Sequence, residues 1–145
     1  RKIDPEVAME KNTWFHLGRN SCEEILYCLR RIADPCEEHV DNNFVPLSKE
    51  QVKEYIPLRD TVLFLLRRTE KILQTDSYDE VDEVRREAEE LKDCLEKARE
   101  AQMQRMQSSK ENITVAYLYL NLLQETRELT SSLRHLLRAS KGFRE

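Results

Sequence analysis

Glycine occurs only twice in this chain, at Gly18 and Gly142. Tight β-hairpins depend on glycine or an Asn-Gly pair to reach positive φ. With two glycines and no Asn-Gly pair, the chain has almost nothing from which to build such turns. An all-β or βαβ fold is therefore excluded as an expectation. The remaining option is helix, and the composition agrees. Charged residues make up 36% and hydrophobic residues 39%, a balance typical of long amphipathic helices.

Apolar spacing divides the chain into four helical segments after a lead-in at 1–12. The predicted helices cover about 13–42, 48–74, 78–107 and 113–141, forming one domain over 1–145. The expected inner stripe of the first holds Trp14 or Phe15, Cys22, Ile25, Leu29, Ile32, Cys36 and Val40. That of the second includes Val52, Tyr55, Ile56, Val62, Leu63, Leu66, Ile72 and Leu73. The third carries Val84, Ala88, Leu91, Leu95 and Ala98. The fourth carries Leu118, Leu122, Leu129, Leu133 and Leu137, with Glu125 or Thr126 interrupting the leucines. A carboxylate at 125 needs a partner, because burying it unpaired is costly; Arg30, Arg31 and Arg59 are the candidates.

Local signals mark the ends. Asp4-Pro5-Glu6 reads as a helix start. Ser48 with Gln51, and Ser77 with Glu80, read as capping boxes. Asn112-Ile113-Thr114 matches a glycosylation acceptor but reads as a helix start. Lys141-Gly142 reads as a C-terminal close. Pro35 and Pro57 are expected to kink their helices. Helices of this length joined by short turns predict an all-α, up-down-up-down four-helix bundle about 40 Å long.

Chemistry is sparse. There is no nucleophile elbow and no glycine-rich phosphate loop. Of the three histidines, His16 and His39 are candidates for a phosphorelay, and Cys36 with His39 supplies only two ligands toward zinc. The cysteines, Cys22, Cys28, Cys36 and Cys94, contain no Cys-x-x-Cys, and three lie on one helix. They are expected to be reduced thiols of a cytoplasmic protein. No apolar run reaches the ~20 residues of a membrane helix. The start at Arg1 reads as a piece cut from something longer.

The most informative run is Leu29-Arg30-Arg31-Ile32-Ala33-Asp34, followed by an acidic stripe of Asp34, Glu37, Glu38 and Asp41. Carboxylates on one helix face repel unless solvent, a cation or a basic partner neutralises them. The run resembles the Leu-Glu-Arg-Ile-Gly-Asp signature of PhoU-like proteins, helical regulators of bacterial phosphate uptake. Asp34 matches the signature Asp, and Arg30 replaces its Glu. Leu123-Gln124-Glu125-Thr126-Arg127-Glu128 is similar to a second signature helix, with Gln124 and Glu128 in the acid positions.

The resemblance implies a non-enzymatic regulatory domain of inorganic phosphate transport, of the kind fused to the C-terminus of sodium–phosphate transporters. The implied partner is a transporter membrane domain, in the same polypeptide or a separate one, with a homo-oligomer as a second option and no nucleic acid. Arg30, Arg31, Asp34, Glu37, Asp41, Gln124 and Glu128 are the implied partner-binding residues. Asp34, Glu37, Glu38 and Asp41 are the candidate ligands for a divalent metal ion. Arg30, one turn from Asp34, can neutralise that carboxylate without a metal, so the stripe is read as a docking surface first. The alternatives are a phosphorelay or signalling bundle and a structural dimerisation module.

Overall fold

The computed structural model describes residues 4–145. Four long helices make up nearly all of it: α1 (Pro5–Asp41), α2 (Lys49–Thr75), α3 (Val81–Ser108) and α4 (Ile113–Arg144). A single 3-10 turn, Tyr78–Glu80, leads into α3. No strand occurs among the described residues.

Helix α1 starts eight residues before the expected position. Asp4 caps it, accepting from Glu6 N–H at 2.9 Å, and Pro5 takes the first helical position, where no backbone donor is needed. Residues 5–12 of the expected lead-in are thus helical, while residues 1–3 lie outside the described residues. The Ser48–Gln51 capping box forms in both directions. Asn112 caps α4 through Val115 N–H. Ser77 makes no such cap; its hydroxyl lies 2.7 Å from that of Thr75, and the 3-10 turn intervenes before α3.

Both internal prolines lie within continuous helix. Pro35 has no N–H for the carbonyl of Arg31 one turn earlier. The side-chain amide of Asn121, on α4, approaches that carbonyl at 3.5 Å, so the gap in α1 is met from the neighbouring helix.

Helix α4 is the centre of the fold. It packs against α1, α3 and α2, whereas α1 lies along α4 and scarcely meets α2 or α3. The N-terminal part of α1 meets the end of α4, with Lys11 Nζ donating to the Phe143 carbonyl at 2.6 Å. Arg31 meets the first half of α4, so the pair is antiparallel. Tyr55 and Glu54 of α2 reach Thr126 and Tyr119. The core holds Leu65, Ile72, Leu91, Leu95, Leu129, Leu133 and Leu137. Leu118, expected with them, is only half-buried.

The packing face of α1 differs from the expected stripe. Ser21, Cys28 and His39 are buried, while Cys22, Leu29 and Val40 face solvent. Small residues explain the choice. A Cβ placed on Gly18 would lie 3.7 Å from Ala139 Cβ, ordinary contact, so the two backbones run close together along this face. On α2, Val52, Ile56, Leu63 and Leu73 are likewise exposed, where burial was expected.

Gly142 is not a left-handed cap, since neither glycine has positive φ, and α4 runs on to Arg144. Its role is room: a Cβ there would lie 2.5 Å from the Trp14 indole. Gly142→Ala is therefore expected to push out the chain's single tryptophan and to cost about 1–2 kcal/mol. A red-shifted tryptophan emission with retained helicity is the readout; an unchanged spectrum would show that the indole is not seated there.

Candidate functional site: two exposed faces of α1

Helix α1 carries its charges on one outer face and an unpaired apolar seam on another. Between them and the core sits Arg31. Its Nε lies 3.1 Å from Glu125 Oε2, without the alignment of a hydrogen bond. Its guanidinium also stacks 4.0 Å over the Tyr27 ring and comes within 3.5 Å of Glu24. Glu125 is 7% exposed, so Arg31 supplies the cation that this buried carboxylate demands. Of the three candidate partners, Arg31 is the one that reaches it. Arg31 is thereby occupied inside the molecule rather than free for a partner.

The acidic stripe lies on the outer side of the same helix. Asp34, Glu37, Glu38 and Asp41 are all exposed, and none has an ion pair within 4.0 Å among the described residues. Arg30, on the same outer side, is also exposed. Gln124 and Glu128 bond to each other at 3.0 Å on α4. They belong to the α1–α4 edge: Gln124 is three residues from Asn121, which meets the Arg31 carbonyl, and Asp34 is three residues from Arg31. No three His, Cys, Asp or Glu side chains converge on a metal-sized site among the described residues. The stripe presents its carboxylates in a row along the helix, and that geometry suits a basic surface better than one ion.

The histidines separate clearly. His39 is buried, its Nε2 2.6 Å from the Val45 carbonyl and its ring 5.3 Å from that of Phe44. It ties the 42–48 connector to α1. His16 and His135 are exposed. The four cysteines are free, with Cys22 and Cys94 exposed and Cys28 buried; burial pushes the Cys28 thiol pKa up.

The second face includes Cys22, Leu29, Cys36 and Val40, which were expected in the core. With Leu26 and Ala33 they follow one another at alternating spacings of four and three, the seam spacing of a helix that packs on another helix. Leu26 is 67% and Val40 71% exposed. Val52, Ile56, Leu63, Leu66 and Leu73 fall on one line of α2 at spacings of four, seven, three and seven, with Arg59 and Glu70 at the two intervening positions and Leu63 41% exposed. The two lines border the same side of the molecule. Arg31 of α1 meets Glu125 of α4, and Tyr55 of α2 meets the adjacent Thr126. Farther along, Phe15, Cys22 and Leu73 border one apolar cleft with Leu136 and Phe143. Leu122, Leu129 and Leu136 of α4 are buried beneath.

A polar network closes the far end of α2, α3 and α4 and was not legible in the sequence. Arg105 donates to both oxygens of Glu54, at 3.1 and 3.2 Å. Tyr119 donates to Glu54 at 2.6 Å. Gln102, fully buried, accepts from Arg105 and Gln51 and donates to Glu111 at 2.6 Å. Burial, then the bond to Glu54, holds the Tyr119 hydroxyl well above its usual range. The bond to Glu54 likewise raises Arg105. Every strong donor and acceptor here is spoken for, which makes the cluster a clamp on three helices rather than a reactive centre.

No helix among the described residues is long and apolar enough to cross a membrane. Compared with protein-family models, curated proteins and solved structures, the chain matches none of them.

Proposed function

We propose that this chain is a non-enzymatic regulatory domain of inorganic phosphate transport, a PhoU-like bundle acting in the cytoplasm by helix-face contact with a transporter. Its four helices would be arranged up-down-up-down. The antiparallel contacts of α1 with α4 and of α2 with α3, through Arg68 and Glu87, support that arrangement. The observation that carries the functional reading is the free acidic stripe. Asp34, Glu37, Glu38 and Asp41 stand exposed and without ion pairs among the described residues, beside the run that resembles the PhoU signature. Such a row attracts a basic surface and speeds its encounter. It regulates only if it binds one state of the partner better than another.

The test is phosphate uptake in the source cells, with the gene intact, deleted or carrying Asp34→Lys, Glu38→Lys and Asp41→Lys together. Deletion and the triple variant are both expected to change the uptake rate several-fold in the same direction, with the protein present at normal levels. Uptake unaffected by deletion would remove the transport reading. A change on deletion that the triple variant fails to reproduce would remove the acidic face from it.

A further inference from the structure

We infer that the apolar face of α1 and α2 is the interface of a symmetric dimer, in which a second copy of this chain docks with the two-fold axis parallel to the helices. The inference stands apart from the phosphate-transport reading, since it rests on a different face. Its first ground is the seam itself. Helix α1 carries an apolar line at coiled-coil spacing and α2 a second one, broken by Arg59 and Glu70; α1 and α2 scarcely meet each other, and apart from the half-buried Cys36 and Leu66 these apolar residues are exposed.

Area is the second ground. From Phe15 to Val40 the α1 line is about 38 Å long at 1.5 Å per residue, and two helices about 10 Å wide lie abreast. They offer roughly 700 Å², near the ~800 Å² that each partner gives to a stable complex.

Charge decides both the occupant and the orientation. Helix α1 runs antiparallel to α4 and α2 parallel to it, so α1 and α2 are antiparallel. Arg31 and Tyr55 meet adjacent residues of α4, Glu125 and Thr126, and Cys22 is level with Leu73. Within about a turn, Glu37 is therefore level with Lys53, Arg30 with Asp60 and Glu23 with Lys71. A two-fold axis along the helices lays α1 of one copy on α2 of the other without changing levels. All three pairings along the rim are then of opposite charge, and symmetry makes each occur twice. A two-fold axis across the helices would instead lay α2 on α2 and α1 on α1 in reversed order. That arrangement sets Lys53 near Lys71 and Glu23 near Asp34, which repel. Glu37, Arg30, Lys53 and Lys71 have no ion pair within 4.0 Å among the described residues, whereas Asp60 pairs with Arg59 and Glu23 with Arg19, so Glu37 with Lys53 is the pairing in which both partners are free for the second copy.

The experiment is the solution mass of the whole chain by light scattering, with dissociation constants from analytical ultracentrifugation. Twice the 17.3 kDa chain mass is expected. Leu26→Glu, at a position too exposed to disturb the single chain, is expected to weaken association at least about 100-fold with helicity intact. Glu37→Lys and Lys53→Glu are each expected to weaken it by about tenfold, and the two together to restore it. Cys22 should be labelled by a thiol reagent more slowly as protein concentration rises, while Cys94, on α3, should not change. A mass of one chain, or a dimer indifferent to Leu26→Glu, would overturn the proposal. Failure of the double swap to restore association would overturn the parallel axis.

Discussion

Replacing Arg105 by methionine is expected to destabilise the protein by about 2–3 kcal/mol. The change removes two bonds to Glu54 and two to Gln102. Glu54 then remains three-quarters buried with only the Tyr119 hydroxyl to hold it. The figure lies below that for a fully enclosed pair, because water still reaches part of both side chains. Adding Glu54→Leu should recover about half of the loss, since two apolar groups leave nothing uncompensated. The same cluster sets a pH dependence. Tyr119 keeps its proton in the folded state beyond the ordinary value of 10, so the unfolded chain loses that proton first. Stability present below pH 10 is then lost as pH rises above it. Tyr55, raised by burial, adds to the slope, and the raised Cys28 and Cys36 thiols begin it at about pH 9. Urea midpoints from pH 8 upward measure this, and Tyr119→Phe should flatten the slope above pH 10. A loss of under ~1 kcal/mol for Arg105→Met would show the clamp to be solvated and dispensable.

Leu95→Ala and Leu129→Ala are each expected to cost about 3–4 kcal/mol. Both side chains are almost wholly enclosed, at 1% and 2% exposed, and sit where α3 and α4 meet. Backbones held by helix hydrogen bonds cannot collapse around a deleted isobutyl group, so a cavity term adds to the transfer term. Leu118→Ala, half-buried, should cost about half as much, because water fills part of the space left behind. Urea unfolding of the three variants gives the comparison. Equal losses at positions 95 and 118 would mean that the packing register of α4 differs from that described.

How far the site could be read in advance is clearest on α1. The cap at Asp4 was legible in Asp4-Pro5-Glu6, although the long helix was expected only from about residue 13, and the cost of an unpaired carboxylate called for a cation at position 125, with Arg31 one of three candidates. The acidic stripe and its exposure were also visible, because residues at positions 34, 37, 38 and 41 share an outer face whatever the helix packs on. The apolar seam was visible only as apolar. Hydropathy at a spacing of three and four says that a line is to be covered; it does not say whether the chain itself or something else covers it.

The sequence by itself determined the secondary structure: too little glycine for hairpins, helical periodicity throughout, and caps at Asp4, Ser48 and Asn112 whose hydrogen bonds are local. Only the tertiary structure decided which face of α1 meets α4, and which polar residues are inside. Gly18, Ser21 and Cys28 carry little hydrophobic signal, yet their small size lets α1 approach Ala139 more closely than the leucine line could. Thr126, one of the two residues expected to interrupt the leucines, and Thr130 each satisfy their hydroxyl on the carbonyl one turn earlier, at 2.7 and 2.8 Å, and Thr126 also meets the Tyr55 hydroxyl of α2, so both can be buried. Gln51, Gln102 and Arg105 lie on α2 and α3, distant in sequence, and become a clamp only when those helices are brought together. Local hydrogen bonds depend on neighbours along the chain and are written there. Close packing and buried charge depend on shape and dielectric, which exist only once the helices have met.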